Sequence, residues 1–158
     1  MKVLSLCFLL ILSQGVMARR SLPAKIKMQI IAVLEGHEEL HRAFFTYDKK
    51  KINSAAESLR MLARKVGVAP LKRPMILLVK DLVVLKDAKS REENNEAYHK
   101  VSLKLVDIIK KYDVGAHYNI YSCPMVKKKW VQNSSKRKRV HNPYAPEMPH
   151  CGQRDTDY

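Results

Sequence analysis

Cys123, Met125, Trp130, Met148, His150 and Cys151 fall within 29 residues near the end of a 158-residue chain. Thiolate and thioether sulfur are soft ligands that suit Cu(I) and similar ions, and imidazole suits copper and zinc. Such chemistry needs several donors held in one place. Pro, Asn and Gly punctuate the segment, so it reads as ordered loop rather than helix. Cys123, Met125, Met148, His150 and Cys151 are therefore the candidate soft-metal ligands, with the face of Trp130 able to shield a bound cation.

Each of these residues also has a plainer use. Methionine more often fills gaps in a core than it binds metal, and Trp130 can simply cover the end of a helical domain. Cys123 and Cys151 can close a disulfide that staples the loop to itself, a bond that contributes roughly 3 kcal/mol in the chain-entropy model. Residue types and spacing leave thiolate pair and disulfide both open.

His37, Glu38 and His41 match the His-Glu-x-x-His pattern, which on a helix sets two imidazoles one turn apart. No third ligand follows at a recognised spacing, so a hydrolytic role is not supported. The plain expectation is a water-facing helix surface. Lys127, Lys128 and Lys129 form one basic run; Lys136, Arg137, Lys138 and Arg139 form another. These read as a solvated flexible loop able to attract an anionic surface. No phosphate-binding glycine loop, dinucleotide fingerprint, nucleophile arrangement or acid–base carboxylate pair is present, and no enzyme is expected.

Residues 1–18 read as a cleaved secretory signal. Lys2 precedes an apolar run over residues 3–12, and Val16 and Ala18 offer the small residues that a signal peptidase reads. The run is too short to span a bilayer. Removing residues 1–18 takes away one lysine and no acid, so the formal charge of +15 becomes +14 over residues 19–158. That length suits one domain. A periplasmic or secreted location follows from the leader, which also argues against a nucleic-acid partner for the basic runs.

Four amphipathic segments must position the loop. Apolar residues recur at three-and-four spacing over residues 22–47 and 50–66, with Gly67 as a stop. A third segment, 74–88, opens on Pro74, tolerated in a first turn; a buried strand pair is the rival reading there. Ser90 and Glu93 form a capping box for a fourth, 90–112. Few core residues are expected beyond Tyr112. The expected fold is all-α, an antiparallel four-helix bundle with an ordered, sulfur-rich loop over 114–158.

Cys123-Pro124-Met125, Trp130, Asn142-Pro143-Tyr144 and Met148-Pro149-His150-Cys151-Gly152 together resemble the signature of a bacterial domain of unknown function. That family occurs alone in secreted proteins and fused to CusB-type copper/silver efflux adaptors. Tyr98 and Ser102 match where it tends to carry an aromatic residue and a serine on its last helix. Val126 and Lys127, and a shorter loop with Pro146, depart from its pattern. The resemblance implies a helical bundle with a cysteine–methionine loop and a link to metal handling or efflux. The expected function is a soft-metal, copper-binding module with a metal ion and an envelope or efflux protein as partners. The alternative is a non-enzymatic interaction domain with a Cys123–Cys151 disulfide and a basic docking loop.

Overall fold

The computed structural model describes residues 18–86, 89–115 and 117–158. The leader expected over 1–18 lies outside these residues except for Ala18, and so does the far end of the third expected helix, at 87 and 88.

Helix α1 (Ala24–Thr46) follows Pro23 and stops at Tyr47, whose left-handed φ of 48° turns the chain. Asp48 comes next and caps α2 (Lys49–Arg64), its carboxylate accepting from the Lys51 amide at 3.1 Å. One αL residue and one capping aspartate thus make the whole turn. Helix α3 (Lys72–Val83) holds Pro74 in its first turn, where a missing N–H removes no helical bond. Helix α4 (Arg91–Lys111) has the expected capping box: the Glu93 amide donates to Ser90 Oγ at 3.2 Å, and the Ser90 amide donates to Glu93 Oε2 at 2.9 Å. Consecutive helices pack on one another, so Ile30, Leu34, Leu59, Leu78, Leu82, Val101 and Leu105 share one buried core.

The all-α expectation is wrong. Beyond α4 the chain builds a three-stranded antiparallel sheet from β1 (Tyr118–Cys123), β2 (Lys128–Asn133) and β3 (Gln153–Arg154), in the order β2-β1-β3. The fold is mixed α and β. Strand β2 packs against α4 and closes a core that helices alone do not close. Tyr118, Ile120, Tyr121, Trp130, Val131 and Tyr144 are buried in the same core as the helices, so the expectation of few core residues beyond Tyr112 also fails. The segment is loop between its strands and in short stretches before β1 and after β3.

Two ties fasten the layers. Glu38, buried on α1, accepts from the Asn133 amide at 2.8 Å and from Arg137 Nε at 3.3 Å. At the other end Arg20 bridges the end of α4: its amide donates to Lys111 O, and the Asp113 amide donates back to Arg20 O, both at 2.8 Å.

Candidate metal centre

Cys123 is the last residue of β1, and Cys151 lies two residues before β3. Antiparallel pairing of Ser122 with Gln153 carries Cys151 alongside Cys123, and their Sγ atoms stand 2.8 Å apart as free thiols. Gly152 makes this approach possible. Its φ is +134°, and a Cβ there would lie 2.6 Å from Ser122 O and 3.1 Å from Trp130 Cη2. Trp130 is wholly buried beside Tyr121 and Tyr144, and its indole N–H donates to Gln132 Oε1 at 3.3 Å.

Asn142 organises the return of the chain to Cys151. Its amide N–H donates to Pro149 O at 2.8 Å, and its side-chain Nδ2 donates to Cys151 O at 3.0 Å. Its Oδ1 accepts from the Tyr144 amide at 2.9 Å. The Cys151 amide donates to Met148 O at 3.0 Å, so Met148 sits one tight turn ahead of the cysteine.

The two thiols differ electrostatically. Burial pushes Cys123 upward, but hydrogen bonds from the Cys151 thiol, the Val126 and Met125 amides and the Asn142 side chain outweigh it and hold Cys123 below its ordinary value. Cys151 is raised, chiefly because its proton is engaged with Cys123. Cys123 is therefore the natural thiolate and Cys151 the donor that shares its proton with it. Backbone N–H groups aimed at sulfur are a preformed environment for an anionic ligand.

The remaining expected ligands are less converged. Met125 is in the turn between β1 and β2 with its side chain 67% exposed, and Met148 is half-buried. His150 is exposed, and its Nδ1 donates to Val140 O at 2.7 Å, which leaves Nε2 as its lone-pair nitrogen. Among the described residues no group of three or more His, Cys, Asp or Glu side chains is arranged to hold a metal ion. The two sulfurs are the part of the expected ligand set that is assembled.

His37 and His41 do not face water. Both are fully buried on α1, and the expectation of a solvated face fails. Tyr98 OH lies 3.2 Å from His37 Nε2 and 3.2 Å from His41 Nδ1. Ser102 Oγ lies 3.4 Å from His37 Nε2 and accepts from Tyr144 OH at 3.3 Å. His41 Nε2 lies 2.8 Å from His141 Nδ1, and His141 stacks on Phe45 with centroids 3.3 Å apart. Burial lowers His37 to about 3 and His41 well below its ordinary value, so both are neutral imidazoles. His37 Nδ1 is buried with no partner among the described residues. Glu38 of the same motif is tied to Asn133 and Arg137 and is not available as a general base. The motif is a polar core.

Three residues of the basic runs are anchored too. Lys128 pairs with Glu96, Lys129 with Asp155 at 3.1 Å, and Arg137 with Glu38. Sequence reasoning passed over His141, and it gave Asn142 only as part of the Asn-Pro-Tyr element, with no role of its own.

No protein-family model, curated protein or solved structure matches the chain.

Proposed function

We propose that the protein is a non-enzymatic module that binds a soft metal ion, Cu(I) or a close relative, as cargo. The observation that carries this reading is the Cys123–Cys151 pair: two sulfurs 2.8 Å apart, with Cys123 held below its ordinary value by hydrogen bonds from the Cys151 thiol and then from the Val126 and Met125 amides. The donor set fits. Two thiolates select a soft ion, and thioether is its natural additional ligand. Cys123 and Cys151 would hold the ion. Met148, one turn before Cys151, Met125, two residues after Cys123, and His150 Nε2 are the candidates to complete its coordination. Binding as two thiolates releases the proton of each thiol. The resemblance of the Cys-Pro-Met, Asn-Pro-Tyr and Met-x-x-Cys-Gly elements to the copper-associated family supports the same reading. A periplasmic or secreted setting, with an envelope or efflux protein as recipient, accords with the leader-like residues 1–18.

The short sulfur separation favours one second reading. Oxidation to a Cys123–Cys151 disulfide would staple β3 to β1 and make the segment a structural element of an interaction domain. A thiol titration of the purified protein, with and without one equivalent of Cu(I), separates the two. Two reactive thiols that Cu(I) protects support metal binding. A complete disulfide that resists mild reductant and ignores Cu(I) supports the staple.

A further inference from the structure

We infer that the outward face of α3 is a docking surface for an anionic lipid bilayer. Four of the nine large apolar side chains exposed among the described residues fall on this 12-residue helix and its C-terminal cap: Ile76, Leu77, Val83 and Val84. Spacings of seven residues, Ile76 to Val83 and Leu77 to Val84, set them in two adjacent rows on one side of the helix. The other exposed positions of the helix are Lys72, Arg73 and Lys80, and none of these is in an ion pair among the described residues. Asp81, the one acid of α3, is half-buried. The inner face of the same helix, Met75, Leu78 and Leu82, is already committed to the core. Lys80 lies one turn from Ile76 and one turn from Val84, so cations are set among the exposed apolar side chains, and such a mixed face matches the boundary between anionic headgroups and acyl chains.

The cationic field continues past the helix. Leu77 and Arg73 also line a cleft of about 740 Å³ together with Ile108, Lys104, Lys110, Lys111 and one acid, Asp107. A second copy of the chain is a poor occupant. A two-fold interface sets a patch against itself, and here that would oppose cation to cation. Among the described residues no helix is long and apolar enough to cross a membrane, and α3 spans only about 18 Å, so it would lie along the surface. The basic runs at 127–129 and 136–139 are weaker candidates, because Lys128, Lys129 and Arg137 are engaged in ion pairs.

The test is co-sedimentation of the purified protein with vesicles of phosphatidylglycerol and phosphatidylcholine, and with vesicles of phosphatidylcholine alone. Binding is expected to the anionic vesicles only and to weaken with added salt. Ile76→Asp with Val83→Asp, and separately Arg73→Glu with Lys80→Glu, should each lower affinity about 10-fold or more while leaving the thermal midpoint unchanged, because all four positions are exposed. Lys136→Glu with Lys138→Glu should change binding far less. No binding, equal binding to both vesicle types, or binding that persists in both α3 variants overturns the inference; persistence is what insertion of residues 3–12 would give. So does loss of binding only in the Lys136/Lys138 variant. A dimer in solution that Ile76→Asp with Val83→Asp dissociates would assign the face to self-association instead.

Discussion

His41 Nε2 on α1 lies 2.8 Å from His141 Nδ1 on the loop that returns to β3. The contact joins the helical core to the segment that carries the cysteines, and it works only while the imidazoles are neutral. Burial, then Arg137, His150 and Arg42, hold His141 at about 4; burial and the neighbouring His37, His141 and Arg137 hold His41 well below its ordinary value. An unfolded histidine titrates near 6.5. Below that pH the unfolded chain takes up protons that the native state refuses, so the stability these groups contribute is complete above about pH 6.5 and is lost as pH falls toward 4. Glu38, raised by burial, acts with the opposite sign and offsets part of the loss. The urea midpoint should fall steadily from pH 7 to pH 4.5, and His141→Asn should flatten that slope. A midpoint that does not move over this range would contradict the assignment.

Among the described residues, Tyr98 OH is the one hydroxyl that touches both buried histidines of α1. Tyr98→Phe should cost about 1–3 kcal/mol, because it strips a partner from buried imidazole nitrogens. Ser102→Ala should cost less, since Tyr144 OH keeps Lys129 O within 3.4 Å as a second acceptor. Urea unfolding of the two variants gives the order, and equal or reversed costs would remove the network from the account.

Gly152→Ala and Gly67→Ala make a matched pair. A Cβ at Gly152 meets the Ser122 carbonyl, which is backbone and cannot yield, and the +134° φ adds strain. The variant should lose about 2 kcal/mol or more and form the Cys123–Cys151 crosslink far more slowly under oxidant, because β3 no longer seats against β1. A Cβ at Gly67 meets nothing within 4 Å, and that variant should stay within about 0.5 kcal/mol of the parent. If Gly152→Ala crosslinks at the parental rate, glycine is not what brings the sulfurs together.

The helices were legible because their signals are local: three-and-four periodicity, the Ser90/Glu93 capping box and Pro74 in a first turn all point one way. The sheet was not. Strand β1, Tyr-Asn-Ile-Tyr-Ser-Cys, is buried at nearly every position, so the alternation that marks a half-exposed strand is absent. Asn119, Gln132, Asn133 and Asn142 are polar residues of the kind read as loop, yet all four are buried. Their partners come from across the fold, as when Asn119 Oδ1 accepts from the Tyr158 amide at 2.7 Å. The His37/His41 motif was visible, but its burial was not, because what covers it is Tyr98, Ser102 and His141 from distant parts of the chain. The cysteine pair was legible as a pair. Its closeness depends on β3, a two-residue strand with no pattern of its own.

The central claim is that Cys123 and Cys151 bind a soft cation together, and competitive Cu(I) titration of the reduced protein tests it most directly. The account predicts one tightly bound Cu(I) per chain, protection of both thiols, loss of most binding in Cys123→Ser and in Cys151→Ser, weaker binding in Met148→Leu with an unchanged fold, and little change in His37→Ala with His41→Ala once their lower stability is allowed for. Cu(I) affinity that survives both cysteine substitutions and disappears with the two histidines would contradict it.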